Sequence, residues 1–549
     1  MKTEFDVVIV GAGINGLAAG CYLARSGLSV AVVEKRNEVA PFALTEDLFG
    51  AGVPVDTHAG VCFLPMSPVW GDLELDSFGL ELISPEVPAG TLWRDGKNLI
   101  FYPVMEVDKT AEAIGKFSRK DQARFLDVAA SFGPHVQEIL DRAVFSAPSE
   151  EGEDFLWSLG QHVGLSPADI RTMNGIELLD LLYEDEHVKM AFLGVANIGV
   201  FGDPSEKGEG AVMTLLANTL SLMVPRGGMH TLPHALVRCL RHHGGALFLN
   251  APVERIEWEG GRPRTVVLSD ASPYAKKEIR AGQAVVCHVS PPIARGLLGD
   301  EDLQRADRSL WRKMRNWDMT GHCAFTSYFL FDGPLPWGSA AWNPDVHKCA
   351  FPLRAWDSWD HAKRSFQYAK NEELFAVAGD VGEMYNLHAT DPTRKGPDGS
   401  CAFVYEVEYP INLRREGGLK AWEDRRLTDE LHEKHLGDIE ALAPGARKKL
   451  KKSSYFTPID NWRRNPSAIF GHELGGDVSG GQWYLGRMPS RSAVPGLYFS
   501  QGVWPASLTH LGNGYVAATA VAEDLGVKKK QAWWRYKPME RFLEKLGGG

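Results

Sequence analysis

Between Asp6 and Arg36 the chain reads DVVIVGAGINGLAAGCYLARSGLSVAVVEKR, an order of signals that few folds accommodate. A strand-like run, Val7 to Val10, meets a glycine-rich turn, then a helix pattern of small residues, then a second strand ending in Glu34. Gly11 permits the tight turn out of the strand. Gly13 lets backbone approach a pyrophosphate, and Gly16 lets the helix lie close to the strand. The helix N-terminus, with unpaired N–H groups and the positive end of the dipole, suits that pyrophosphate. Glu34 stands where an acid accepts hydrogen bonds from an adenosine ribose, and an acid there disfavours a 2′-phosphate. The stretch therefore predicts a Rossmann-like site for an adenine dinucleotide, without separating NAD from FAD.

Only one such unit exists. GEGAVM at Gly208 lacks the preceding strand and the following acid, so a second dinucleotide domain is not expected. The chain has 549 residues, 44% hydrophobic and 23% charged, as ordinary folded domains do. Its formal net charge of −11 argues against nucleic-acid partners. Cysteines at 21, 62, 239, 287, 323, 349 and 401 are scattered, with no C-x-x-C, which predicts neither a zinc site nor a dithiol and fits a reducing compartment. His242 and His243 are adjacent rather than i,i+4 and read as a helix C-terminus, so no metal site is expected. No signal-peptide layout opens the chain, and no stretch reaches the ~18 apolar residues of a membrane span. A cytoplasmic protein is the expectation.

Two later segments complete the first. Val224 to Arg262 reads as a glycine turn, an amphipathic helix with Leu232, Leu236, Val237 and Leu240 on one face, a Gly-Gly stop and a strand, Ala246 to Leu249. A buried strand follows in AGQAVVCHVSPP, Ala281 to Pro292. Near the end, a strand at Leu497–Ser500 leads through a loop to a helix starting near Asn513 or Gly514, with Asn513 as its N-cap.

In this order and spacing the segments resemble the FAD oxidoreductases related to phytoene desaturase, within the amine-oxidase-like flavoproteins. The first stretch is similar to their FAD turn, PRGGMHTLPHALVRCL to their central helix, and HATDPTRKGPDGSCAFVYEVEYP and FTPIDNWRRNPSAIFGHELGGDVSGGQWYLGRMP to their late substrate-domain strands. The resemblance implies FAD and an α/β fold: a Rossmann-like FAD domain with an inserted α+β substrate domain. The FAD domain would comprise 1–69, 223–294 and 491–527, and the substrate domain 70–222 and 295–490, with a basic, aromatic tail at 528–549. It implies FAD contacts at Gly11, Gly13, Ile14, Asn15, Gly16, Glu34, Lys35, Val253, Gly502, Gly514 and Tyr515. His288 stands where relatives usually carry Asn and is read as structural. The last cysteine is Cys401, so a C-terminal cysteinyl-flavin link is not expected.

The pattern is broken in two places. Where relatives have a Gly-Gly pair after the ribose-binding acid, this chain has Ala40 and Pro41. Where they have a run resembling T-H-P-G-G-G, it reads VWPASL: Trp504 replaces a histidine, and Ala506, Ser507 and Leu508 replace glycines. Side chains there would fill space that glycines leave open. Trp504 is thus expected to wall the substrate pocket near the flavin, with His510 and Tyr515 as proton-transfer candidates. Free N–H groups of Gly514 and Tyr515 would stabilise reduced flavin.

The expected function is FAD-dependent oxidation or reduction of a carbon–carbon bond in an apolar or cyclic substrate, by hydride transfer at flavin N5. Oxygen, a quinone or a transient carrier would exchange the electrons. A flavin amine oxidase and a non-catalytic flavin-binding or scaffold protein are the alternatives. The tail, with Trp533, Trp534, Met539, Phe542, Leu543 and Leu546 among basic residues, suits either an anionic membrane surface, at the inner face, or packing on its own protein or on a second protomer. Pro538 argues against one continuous helix there.

Overall fold

The computed structural model describes residues 2–198, 203–374, 381–506 and 508–534, and two seven-stranded sheets organise them. In the first, Glu4–Val10 runs parallel between Val30–Val33 and Glu278–Cys287. Ala246–Phe248 extends one side, and Leu497–Phe499 pairs in parallel with the end of Glu278–Cys287. A hairpin, Val253–Glu259 and Arg262–Leu268, edges the other side. The runs VVIV and VAVV are apolar throughout because both faces are covered. Val7, Ile9, Val30 and Val32 enter one core, while Val8, Val10, Ala31 and Val33 enter the other.

Three helices cover the first of these faces. Ile14–Arg25 lies centrally, with Thr231–His242 and Gly512–Asp524 against it. Thr231–His242 buries Leu232, Leu236 and Leu240 and half-buries Val237, the stripe its periodicity predicts. Gly512–Asp524 touches Ile14–Arg25 backbone to backbone: a Cβ on Gly514 would lie 2.3 Å from the carbonyl oxygen of Asn15. This helix begins at Gly512, with Leu511 at its cap, rather than at Asn513 or Gly514. Asn513 does not cap it, because its side-chain amide donates instead to Val503 O at 3.2 Å. His510 Nδ1 receives the Gly512 N–H at 2.9 Å.

The second sheet runs in the order Leu450–Phe456, His322–Phe331, Cys401–Pro410, Gly382–Tyr385, Cys349–Arg354, Val87–Leu92, Asn98–Phe101. One face carries Phe325, Phe329, Tyr405 and Val407 into a core closed by Leu431, Leu436 and Ile439 of the helix Arg425–Leu442. Alternation puts Thr326, Glu406 and Glu408 on the opposite face. Helices between Val107 and Leu216 complete this part.

A buried ionic knot ties the loops between the sheets. Arg394 Nη1 donates to Asp56 Oδ2 at 2.7 Å and Nη2 to Pro225 O at 3.1 Å. The amides of Gly227 and Met229, in the glycine turn before Thr231, donate to Asp391 and Asp56.

At the tail, Trp533 and Trp534 stack with centroids 5.5 Å apart and pack on Tyr22, and Arg25 lies 4.6 Å over Trp533. The tail's start therefore covers this chain's own first helix. Pro538, Met539, Phe542, Leu543 and Leu546 lie outside the described residues. Among the described residues no helix is long and apolar enough to cross a membrane, and no cluster could hold a metal ion. All seven cysteines are buried thiols.

Candidate active site

A cavity of about 470 Å³ runs from the glycine turn to the acidic face of the second sheet. Gly13, Ile14 and Asn15 form one end; Ala40, Pro41, Phe42, His58, Gln501, Leu508 and Thr509 form the walls; Glu383, Glu406, Glu408 and Glu473 stand at the far side. The turn has the shape a dinucleotide needs. Gly11 has φ +105°, and a Cβ there would lie 2.4 Å from the carbonyl oxygen of His288. A Cβ on Gly16 would strike the Gly11 carbonyl at 2.5 Å. The first bond within the helix is Leu17 N–H to Gly13 O at 2.9 Å, so the amides of Ile14 to Gly16 precede it at the cavity's edge. These bare amides and the helix dipole fit a pyrophosphate.

Glu34 is buried, and its two oxygens accept the N–H groups of Ala12 and Arg36, each at 2.9 Å. Burial raises its pKa, against the pull of those two hydrogen bonds. The carboxylate is thereby fixed at the end of its strand. Val253 begins a strand two residues after Ala251, whose N–H donates to Glu34 O at 2.7 Å. Lys35 is exposed. Asn15 works between helices: its Oδ1 accepts Gly514 N–H at 3.1 Å and its amide donates to Leu508 O at 3.4 Å. Glu34, Lys35, Val253, Gly502, Gly514 and Tyr515 lie outside the cavity wall. Ala40 keeps the left-handed backbone of the glycine it replaces, at φ 48°, and its N–H bonds Ala12 O at 3.1 Å. The loop therefore holds its course past the site despite the substitution.

His288 packs its ring under the turn, with Nε2 2.5 Å from where a Gly13 Cβ would be, and its Nδ1 meets Ser500 Oγ at 3.0 Å. Burial lowers its pKa to about 4, so it is a neutral supporting side chain.

The three catalytic candidates fall elsewhere. Trp504 is 1% exposed, donates from Nε1 to Ala143 O at 2.6 Å and packs edge-on to Trp483 and Tyr484. It points into the interface with the helical part and forms no wall of the cavity, because the indole finds both a carbonyl and two aromatic faces there. His510 is buried against Phe145, its pKa lowered by burial to about 3. Tyr515 packs on Tyr22, and burial raises its pKa. Neither reaches the cavity. The amides of Gly514 and Tyr515 are also engaged, by Asn15 Oδ1 and Leu511 O. They are not the free donors expected for a reduced flavin. Ser507 lies outside the described residues.

The chemistry-bearing groups are the carboxylates. Glu406 and Glu383 are cross-strand partners, and Thr326 Oγ1 donates to Glu406 Oε2 at 2.5 Å. His58 Nδ1 lies 3.2 Å from Glu406 Oε2, and its Nε2 pairs with Glu473. Glu408 is hydrogen-bonded to Glu473. Burial opposes charge on His58, but Glu473 and Glu406 outweigh it, and its pKa stands well above the usual histidine value. Burial, reinforced by neighbouring carboxylates, pushes Glu383 and Glu408 well up. Glu473 is drawn down despite burial, by the charge and hydrogen bond of His58 and the hydrogen bond from Glu408. FVYEVEYP carries a signal for this site: two acids two residues apart in an apolar strand share one face.

A glycine-turn dinucleotide domain joined through one cavity to an antiparallel substrate sheet defines a flavoprotein oxidoreductase. The sequence model of flavin containing amine oxidoreductases matches residues 14–361, more than half of the chain, and the chain belongs to that family. One of the two-component limonene dehydrogenase polypeptides of Castellaniella defragrans is 23% identical, covering 97% of this chain and 96% of that protein. Hydroxyneurosporene desaturase of Cereibacter sphaeroides is 29% identical over 57% of this chain and 62% of the relative. The solved cyclohexylamine oxidase of Brevibacterium oxydans shares the fold, with TM-score 0.56 and 17% identity over 95% of this chain and 99% of that one. The protein is an FAD-dependent oxidoreductase related to the phytoene desaturases.

Proposed function

We propose that this enzyme oxidises a carbon–carbon bond of a compact, cyclic or otherwise short substrate by hydride transfer from a substrate carbon. The observation that carries the reading is a single cavity touching both the dinucleotide turn and the carboxylate wall. Bound FAD supplies the two-electron acceptor, receiving the hydride at N5. The chain's residues do the rest: the amides after Gly13 hold the pyrophosphate, Glu34 orients the ribose, and the sheet carboxylates hold or take a proton. The volume of about 470 Å³ must also serve the flavin ring, which supports a small substrate over a long polyene. The relative matched along nearly its whole length is named for dehydrogenation of limonene. Oxygen, a quinone or a carrier protein would then remove the electrons.

A second reading, oxidation of an amine, is favoured by four cavity carboxylates offset by the His58 cation. A protonated amine complements that charge, and the shared fold of cyclohexylamine oxidase accommodates such chemistry. The test is anaerobic mixing of the flavin-loaded protein with cyclic alkenes and ketones in one series and amines in another, following flavin absorbance. Bleaching by the first series alone supports carbon–carbon oxidation. Bleaching by amines alone selects the second reading. A flavin that neither series reduces overturns both.

A further inference from the structure

The wall that closes the cavity holds an excess of buried acid that stability does not explain. Burying a carboxylate costs several kcal/mol unless it is well paired, and apolar replacements of similar volume are often neutral or stabilising. Here Glu383, Glu406, Glu408 and Glu473 gather around His58 in a layer facing the cavity. The helix-facing side of the same strand is filled by Tyr405 and Val407, as a merely structural sheet face would be.

The order of contacts gives the cluster a direction. Glu406 and His58 are buried, with Thr326 and His58 both on Glu406 Oε2. Glu383, Glu408 and Glu473 retain partial exposure, and that exposure is to the cavity they line. His58 joins the two layers through Glu406 on one side and Glu473 on the other. Phe42, from the loop carrying Ala40 and Pro41, packs its ring 4.5 Å from His58, which ties the histidine to the flavin side of the cavity. The other titratable groups facing the cluster are His472, Tyr385 and Cys323.

We propose that the hydrogen-bonded carboxylates Glu408 and Glu473 are the catalytic proton couple of this enzyme, sharing one proton at rest and accepting the second from substrate, with His58 as their positioning residue. The inference rests on the dehydrogenation proposed above. In that reaction one substrate C–H bond leaves with its electron pair as the hydride. The neighbouring C–H bond leaves its pair in the new double bond and its proton on the ionised oxygen of the couple. The couple then holds two protons and returns one to water once product departs. Two adjacent carboxylates cannot both ionise cheaply, which is why one proton stays between them. The raised Glu408 and lowered Glu473 agree with a proton resident on Glu408 and a negative charge on Glu473 facing His58.

The first arm of the test needs no substrate. Infrared spectra of the flavin-loaded protein, titrated with pH, report protonated carboxyl groups by their carbonyl band. The wild type is expected to keep this band at neutral pH, with contributions from Glu408 and Glu383. Glu408→Gln should lose one part of it and Glu383→Gln the other. His58→Gln removes the cation beside Glu473, so the remaining band should persist to higher pH. The second arm follows flavin reduction by the best substrate: Glu408→Gln and Glu473→Gln should each slow it by about 10²–10⁴-fold with FAD content unchanged. In His58→Gln the acidic limb of the rate profile should move to higher pH, a shift that a packing role would not produce. Glu408→Asp keeps the acid and should recover part of the rate. An unchanged carbonyl band in Glu408→Gln, or full reduction rates in both glutamine variants, overturns the proposal. If no substrate reduces the wild-type flavin, the dehydrogenation reading fails while the infrared arm still judges the couple.

Discussion

Arg394 donates from Nη1 to Asp56 Oδ2 at 2.7 Å, and both side chains are buried. Their positions are 338 residues apart in sequence, yet the pair fixes the turn that leads into Thr231–His242, since Asp56 also receives the Met229 N–H and Arg394 also reaches Pro225 O. Removing one partner leaves the other charged group buried without its match. Arg394→Met is therefore expected to destabilise the protein by about 3–5 kcal/mol. Chemical denaturation of the flavin-loaded protein measures this; a loss under about 1 kcal/mol, the range of exposed pairs, would mean that the knot is solvated.

Glu34 is the second test. Its oxygens are held by the Ala12 and Arg36 amides, so a shorter or cationic side chain cannot reproduce its placement. Glu34→Arg should strip flavin on purification, while Glu34→Gln, which keeps an acceptor for one amide, should retain part of it. The flavin-to-protein absorbance ratio reads both outcomes. Full flavin content in Glu34→Arg would remove this carboxylate from the cofactor site.

Trp504 tests the helical interface. Its indole donates to Ala143 O and packs on Trp483 and Tyr484. Trp504→Gly is expected to cost about 3–5 kcal/mol through the cavity left behind, with the Ala143 carbonyl losing its donor. Trp504→Phe keeps the aromatic faces and should cost less. Neither change should alter which substrates reduce the flavin. A changed preference for substrate size in Trp504→Phe would show that the indole communicates with the cavity after all.

The contrast between Glu34 and Trp504 shows what the sequence could disclose. The glycine turn, its helix and Glu34 lie within one local unit, and local spacing constrains backbone geometry directly. The stripe on Thr231–His242 is legible for the same reason. Register with relatives puts Trp504 beside the flavin, but a loop residue's direction depends on what it meets, here Ala143 from a segment 361 positions away. The carboxylate site is likewise assembled from His58, Glu383, Glu406, Glu408 and Glu473, four separate segments. Only the alternation of Glu406 and Glu408 is local, and it marks a face without saying what that face looks at. Ala40 is the opposite case: the residue changes and the backbone conformation stays.

The final prediction concerns pH. Glu209 opens the helix Glu209–Leu216, and its Oε2 accepts the Gly480 N–H at 2.9 Å, joining that helix to the loop whose Asp477 and Ser479 line the cavity. Burial raises its pKa from an ordinary 4.5 to about 7, helped by the charges of Glu206, Asp477 and Asp203 and opposed by the Gly480 hydrogen bond. The folded state thus binds this proton more tightly than the unfolded chain does. By linkage, the stabilisation is fully present below about 4.5 and is lost as pH rises toward about 7. Other groups titrate in the same window with the opposite sign, His288 among them, since its lowered pKa withdraws stability as pH falls. The informative quantity is therefore the difference between two proteins. Glu209→Gln has no proton to lose, and its amide oxygen can still accept from Gly480. Its melting temperature should equal or slightly trail that of the wild type near the ordinary glutamate value of 4.5, and exceed it above about 7. Melting curves of both flavin-loaded proteins across that range decide it: parallel profiles would mean that Glu209 ionises in the folded protein as it does in the unfolded chain.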